Sequence, residues 1–383
     1  MASKTALIRF ICGSALPGIM LLMPVQLAAQ LTCSGGGCQY LPLNQSQLNQ
    51  MYYEMSSQVT RPLADNYAKA AAAANLMTPY IGSTNLQGLT FGGYLNAGYY
   101  DAEAKDISIP NVGQLEDTQL SAANTYPSLF AGINLGSLLG HAYDPYEDEN
   151  REREPGLLSP TRFDVYVIGL KWAHSERKEE EGQLVGRSRY GVRSKGFQVR
   201  YHLTHGKDWL GSVIRWNGVS LMAGMIDTST TIDYADTSED SQTLTLDQAP
   251  YTGASLIWTG NALVAKVQSD IKSYPVELQS GLQLMHLLTI TLGGGMAWHT
   301  GGTQLFVTKS GQAFLDSQLA AASNPDTSAY LSFGLLEESA PPARMMYAKV
   351  GVELSLIVLK VGVQAMATND RNYAGNITLR MEL

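Results

Sequence analysis

The sequence predicts an all-β membrane protein, an antiparallel transmembrane β-barrel of about twelve strands that follows an N-terminal helical segment. Three observations predict it. The amino end has the pattern of an exported protein, the residues from 86 onward alternate between apolar and polar side chains, and the last alternating strand runs to the final residue. A soluble sandwich is the alternative, because two packed sheets would also hide one apolar face of each strand.

Composition excludes several other classes. Of the 383 residues, 45% are hydrophobic and only 16% are charged, whereas typical soluble domains have roughly 25% charged residues. This balance argues against a disordered chain and against a coiled coil. The formal net charge of −8 makes nucleic acid an unfavourable partner, because the phosphate backbone attracts basic surfaces.

Residues 1–29 have the layout of a signal peptide. Lys4 and Arg9 form the basic region, an apolar stretch covers residues 16–23, and Ala28-Ala29 provides small residues at a cleavage site. An uncleaved membrane helix is disfavoured because the stretch is short and interrupted by prolines. We therefore expect export and location in the bacterial outer membrane, with lipid around the barrel.

Cys33 and Cys38 bracket a short Ser-Gly-Gly-Gly loop. In an oxidising compartment a disulfide between them is the simplest interpretation. Lipidation of Cys33 remains open, since it lies near the cleavage site. A metal site is poorly supported because no histidine lies nearby, and the sequence indicates no cofactor.

Residues 30–85 are expected to form a periplasmic or plug segment that is partly helical. Apolar residues recur there at a spacing of three and four, which predicts one or two helices with a break near Pro62; they are Leu48, Met51, Tyr52, Met55 and Val59. An alanine run at 70–74 gives the second half a small face. Such helices need a partner surface.

Residues 86–383 are expected to form the barrel. The strands are placed near 86–100, 125–137, 160–174, 194–216, 218–233, 242–258, 261–271, 274–286, 288–308, 344–357, 358–368 and 372–383. Twelve is an even number, as in bacterial barrels, and ten or fourteen remain possible. Inward turns are expected at Trp216-Asn217-Gly218 and Thr259-Gly260-Asn261. With both chain ends periplasmic, the longest outer loops are 101–124, 175–193 and 309–343.

Charged side chains on the polar face of the last three strands are expected to point into the barrel. They are Lys349, Glu353, Lys360, Arg380 and Glu382. A charge that faces lipid at mid-bilayer costs several kcal/mol, so alternation places these groups inside. They either line an aqueous channel or form a paired network, and the helical segment is the candidate plug.

No catalytic motif stands out. The six histidines are expected on solvated strand ends, and His174 and Ser175 would point to opposite faces of a strand. The sequence contains no G-x-S-x-G, H-E-x-x-H or P-loop pattern. We therefore expect a protein that is not an enzyme, with an outer-membrane hydrolase as the minor alternative.

Residues 273–282, the stretch 347–352 and residues 359–365 resemble a family of leptospiral (spirochaete) outer-membrane surface adhesins. This resemblance implies a surface-exposed barrel that binds host extracellular-matrix proteins or plasminogen. It identifies no binding residues, because the similar stretches lie in strands. The long outer loops favour surface interaction or adhesion, since loops carry recognition. A porin-like channel for small solutes is the alternative.

Overall fold

The computed structural model describes residues 31–36, 38, 45–79, 86, 88–109, 113–139, 156–180, 183–209, 213–236, 241–246, 254–316 and 329–383. The expected signal peptide, 1–29, lies outside the described residues.

The first described part of the chain is largely helical, and the rest is almost entirely strand. Helix α1 spans Gln45–Met55 and helix α2 spans Arg61–Leu76, joined by one π-helical turn at Ser56–Thr60. The strands are β1 Leu31–Ser34, β2 Leu89–Tyr100, β3 Lys105–Ile109, β4 Gly113–Thr118, β5 Ala122–Asn134, β6 Phe163–Glu180, β7 Gln183–Thr204, β8 Lys207–Asp208, β9 Ile214–Asp236, β10 Ser241–Leu246, β11 Ala254–Leu284, β12 Leu288–Asp316, β13 Ala329–Ser339, β14 Arg344–Leu356, β15 Leu359–Thr368 and β16 Asn372–Glu382.

Ten of these strands close into a ring in which each neighbour is antiparallel. Their order is β2, β5, β6, β7, β9, β11, β12, β14, β15 and β16, and β16 pairs back onto β2. The described residues therefore form a transmembrane β-barrel of ten strands, within the expected range of ten to fourteen but two fewer than the twelve placed from sequence.

The difference arises in β11, which replaces three expected strands. The expected turn at Thr259-Gly260-Asn261 is instead a register irregularity between Asn261 and Val264. The expected break at 272–273 is absent from this strand, because Ile271 and Ser273 stay buried while Lys272 and Tyr274 stay exposed. Glycine and asparagine are common in turns, but they also occur at bulges within long strands.

Three further boundaries were wrong. Trp216-Asn217-Gly218 lies inside β9, where Gly218 has φ +77°, and the chain turns before it, between β7 and β9. The expected loop 175–193 is largely strand, since β6 and β7 pair from Phe163 to Glu180. The expected loop 309–343 contains the end of β12 and all of β13.

The two ends of the barrel differ. At one, which we call the turn end, β2 begins, the chain finishes at Leu383, and short turns join β11 to β12 and β14 to β15. At the other, the loop end, β11 and β12 continue far beyond β15 and β16. We call the described residues of 169–195, 225–246, 254–273 and 299–339 the loop-end extension.

Outside the barrel, below this extension, the outward side chains form an apolar band. They include Leu95, Leu129, Leu292, Val352, Leu354, Val363, Ile377 and Leu379, each between 38 and 65% exposed. Their neighbours along each strand point inward and are mostly buried. A continuous apolar surface of this kind requires lipid, because water would penalise it.

Helix α2 lies inside the ring and packs against strands from several sides, including β2, β5, β11, β12 and β16. Its alanine face permits close approach: a Cβ at Gly98 would lie 2.0 Å from the Ala70 carbonyl oxygen. Pro62 does not break the helical segment as expected. It lies in the first turn of α2, where a missing N–H costs nothing, and only the π-helical turn at Ser56–Thr60 separates the two helices.

Helix α1 lies at the loop end, where Met51 and Met55 share a core with Phe333 of β13. Strand β1 also pairs with β13, with Cys33 opposite Leu331. The described amino end is therefore at the loop end, which differs from the expectation that both chain ends are periplasmic. None of the described helices is long and apolar enough to cross a membrane.

The apolar band predicts the response to a charge at its centre. We expect Ile377→Arg to lower the free energy of unfolding by about 2–4 kcal/mol, because Ile377 is the middle residue of β16 and arginine there would face hydrocarbon. Urea unfolding of the refolded barrel in phospholipid vesicles measures this. Tyr234→Arg is the control, since Tyr234 is exposed in the loop-end extension. Equal losses in the two variants would contradict the assignment of the band.

Candidate functional site

The five charged residues expected inside the barrel lie on its inner wall. Lys349, Glu353 and Arg380 are buried, and Lys360 and Glu382 are partly buried at the turn end. Arg380 donates to both oxygens of Glu353, at 2.9 and 3.1 Å. It also donates to Glu382, 3.1 Å away, which in turn accepts a hydrogen bond from Lys360. These four residues form a continuous ionic chain.

A second ionic group lies on the inner wall of β6 and β7. Arg200 donates to Asp164 Oδ2 at 2.7 Å, and His202 Nε2 lies 2.8 Å from the same oxygen. Asn134 donates to the other carboxylate oxygen at 2.8 Å. Sequence reasoning missed Asp164 and Arg200, although strand alternation places both inward.

The histidines were predicted less well. His202, His205 and His299 are buried rather than on solvated strand ends. His202 can be buried because its Nε2 atom is hydrogen-bonded to the Asp164 carboxylate, which satisfies the polar ring. Only strand pairing brings Asp164 and His202 together, and the sequence does not reveal that pairing.

Lys349 holds the end of helix α2. Its ammonium group lies 2.5 Å from Glu277 Oε2 and 2.6 Å from the carbonyl oxygen of Leu76, the last residue of the helix. The Tyr347 hydroxyl donates to the same Glu277 oxygen at 3.1 Å. A cation at a helix C-terminus is favourable because the last carbonyls are unpaired and carry partial negative charge.

Two side-chain amides also bind the helix to the barrel wall. Asn96 of β2 donates to the carbonyl oxygens of Ala74 and Met77, at 3.1 and 2.6 Å. Asn75 of the helix donates to the Ile271 carbonyl at 3.0 Å. The inward charges thus form pairs and helix contacts rather than a lining of isolated groups.

One serine–histidine pair is also present, which the sequence did not suggest. Pairing of β11 with β12 places Ser273 opposite His299, and the Ser273 hydroxyl lies 2.8 Å from His299 Nδ1. Both side chains are buried, and His299 Nε2 has no hydrogen-bond partner among the described residues. A catalytic triad needs an acid on that nitrogen and access for a substrate. No group of three metal-ligating side chains occurs within the described ranges.

The loop-end extension carries a partly exposed aromatic cluster on the side of β6 and β7 that faces the barrel axis. Trp172 of β6 stacks on His174 with ring centroids 5.9 Å apart, and Tyr190 of β7 lies 5.7 Å from Trp172. Trp172 remains 43% exposed. Near the amino end, Cys33 and Cys38 form a disulfide with their Cα atoms 5.9 Å apart. A disulfide-bonded Cys33 has no free thiol for lipidation.

A closed antiparallel ring with an apolar outer band and a charged interior defines an outer-membrane β-barrel protein, and this protein is located in the outer membrane. The chain belongs to the Lsa36-like family, whose profile matches residues 26–383. Lsa36 is a leptospiral surface adhesin, so the resemblance drawn from the sequence is confirmed.

Solved structures with a similar fold include a Pseudomonas aeruginosa FadL homologue, with 9% identity, a TM-score of 0.24, and coverage of 83% of this chain and 98% of that one. The outer membrane protease OmpT of Escherichia coli has 9% identity, a TM-score of 0.34, and coverage of 77% and 97%. The Ralstonia pickettii toluene transporter TbuX has 10% identity, a TM-score of 0.24, and coverage of 84% and 99%. None of the curated proteins matches the chain.

The Arg380–Glu353 pair predicts non-additive mutational effects. We expect Arg380→Met to destabilise the barrel by about 3–5 kcal/mol, because Glu353 would be buried without its partner. Adding Glu353→Leu should recover most of that loss, since an apolar pair leaves no uncompensated charge. Urea unfolding in vesicles measures both variants. A double variant as unstable as the single one would show that the ion pair is not the cause.

Proposed function

We propose that this protein interacts with molecules outside the cell, and that the barrel anchors a recognition surface formed by the loop-end extension. The observation that carries the proposal is the combination of an occupied interior and surplus strand length. Helix α2 and paired charges fill the ring, while β11 and β12 have 31 and 29 residues. A tilted strand needs only about 9–11 residues to cross a bilayer.

The surplus length builds a structured surface. Residues 288–298 of β12 pair with β14, whereas residues 303–313 pair with β13 beyond the apolar band. Helix α1 packs on this second part through an apolar core that includes Leu48, Met51 and Phe333. A surface held rigid before binding loses less conformational entropy when a partner docks, and so suits recognition.

Host extracellular-matrix proteins and plasminogen are the partners we propose, and membership of the Lsa36-like family supports this choice. The cluster of Trp172, His174 and Tyr190 is the candidate contact. Tryptophan and tyrosine dominate the binding energy of many protein interfaces, because they bury a large apolar area with few rotatable bonds. In this proposal the protein is not an enzyme, and the enclosed Ser273–His299 pair serves packing.

A porin-like channel for small solutes is the second candidate, favoured by the charged inner wall. It requires that α2 leave the interior. Planar-bilayer recording of the refolded full-length chain separates the two, and we expect no steady conductance from the wild-type protein. Steady conductance would instead favour the porin.

The same recording tests whether the helix closes the barrel. Gly98→Val should produce conductance, because its side chain would collide with the backbone of α2 at Ala70 and Ala74. Gly169→Val is the matched control, since no atom lies within 4 Å of a Cβ at that position. Silence in both variants, with correct folding, would contradict a removable plug.

Recognition through the aromatic cluster predicts a selective loss of binding. Trp172→Ala should weaken binding to immobilised plasminogen or matrix proteins by at least about tenfold, which is typical when a central tryptophan is removed. Trp298→Ala is the control, because Trp298 is similarly exposed but lies near the apolar band. Surface plasmon resonance measures both. Equal binding by the wild type and the Trp172 variant would remove the cluster from the proposal.

A further inference from the structure

The outward face of the β6–β7 hairpin is strongly basic, although the whole chain has a net charge of −8. Six exposed basic side chains share this face, and they are Lys171, Arg177, Arg187, Arg189, Arg193 and Lys195. They alternate along the two strands with the same parity as Val167 and Phe197, which belong to the outward apolar surface. The face therefore points away from the barrel axis.

Strand register sets two like-charged pairs directly opposite each other. Lys171 faces Arg193, and Arg177 faces Arg187. Like charges in this position destabilise a sheet. Within the described part of the chain, Lys195 alone among the six has an ion pair, with Asp227 at 3.2 Å. An anion that bridged a like-charged pair would remove this repulsion.

The two pairs lie at different distances from the apolar band. Val167 and Phe197 form the last apolar row. Arg193 lies four residues beyond Phe197, about 14 Å along the strand and less along the membrane normal because strands tilt. Arg187 lies ten residues beyond Phe197, about 34 Å along the strand. The Lys171–Arg193 pair is therefore at headgroup depth, and the Arg177–Arg187 pair is well above it.

Resting on the proposed function, which places the loop end outside the cell, we propose that Lys171 and Arg193 bind a phosphate group of a phosphorylated glycolipid in the outer leaflet. The guanidinium of arginine matches two phosphate oxygens at once, and the lysine ammonium adds a compact charge. Both side chains are exposed toward the region where such headgroups lie. A soluble sulfated polysaccharide would instead use the whole basic face, including Arg177 and Arg187.

The test compares two double variants with equal charge loss, Lys171→Gln with Arg193→Gln and Arg177→Gln with Arg187→Gln. Each full-length protein is refolded into phosphatidylcholine vesicles with or without diphosphoryl lipid A. Thermal unfolding then reports stabilisation by the glycolipid, and native mass spectrometry of the detergent-solubilised protein reports its binding. Heparin fragments serve as the soluble polyanion.

We expect diphosphoryl lipid A to raise the Tm of the wild type and of the Arg177/Arg187 variant equally. The Lys171/Arg193 variant should bind the glycolipid at least about tenfold more weakly, as expected for the loss of charge-assisted hydrogen bonds. Its unfolding in pure phosphatidylcholine should be unchanged or slightly improved, which separates lost binding from misfolding. Equal weakening in both variants, undiminished lipid A binding by the Lys171/Arg193 variant, or competition by heparin for lipid A would overturn the proposal.

Discussion

The close fit between helix α2 and the barrel wall is the constraint on which the rest of the structure depends. A ring of ten strands encloses a space that one helix fills only if both surfaces are nearly free of side chains where they meet. Gly98 on β2 and the alanines at 70 and 74 supply those surfaces. Asn96 and Lys349 then donate to carbonyl oxygens at the end of the helix, and Asn75 of the helix donates to the Ile271 carbonyl, so the close contact is also hydrogen-bonded.

The interior charges specify which strands meet. A buried ion pair adds little net stability, because desolvation offsets the Coulomb attraction, but an unpaired buried charge is costly. Arg380 can pair with Glu353 only when β14, β15 and β16 adopt the observed register. Lys349 can pair with Glu277 only when β12 lies between β14 and β11. A slip by one residue would turn charges toward lipid, so these pairs disfavour alternative barrels.

Side-chain alternation allowed much of this to be predicted, since a period of two already assigns each charge in β14–β16 to one face. The strand count was harder. Asn261 and Gly260 have turn chemistry, yet they lie in a strand whose pairing with β12 continues past them. Partners such as Asp164 for Arg200, or His299 for Ser273, were not predictable, because they depend on which distant strands become neighbours. The continuation of β6 and β7 through 175–193 was not predicted. Both faces of a strand outside the membrane can be polar, so this stretch lacks the apolar alternation that marks a strand.

The path of the chain constrains the order of assembly. Strand β1 pairs at the loop end, whereas β2 begins at the turn end, and the helix between them runs through the ring. The segment that contains α2 cannot pass through the wall of a closed barrel. The amino-terminal stretch must therefore enter while the seam between β2 and β16 is open, or be threaded along the axis afterwards. By either route, the packing of α2 against distant strands such as β11, β12 and β16 is completed late in assembly, because it joins residues far apart in sequence.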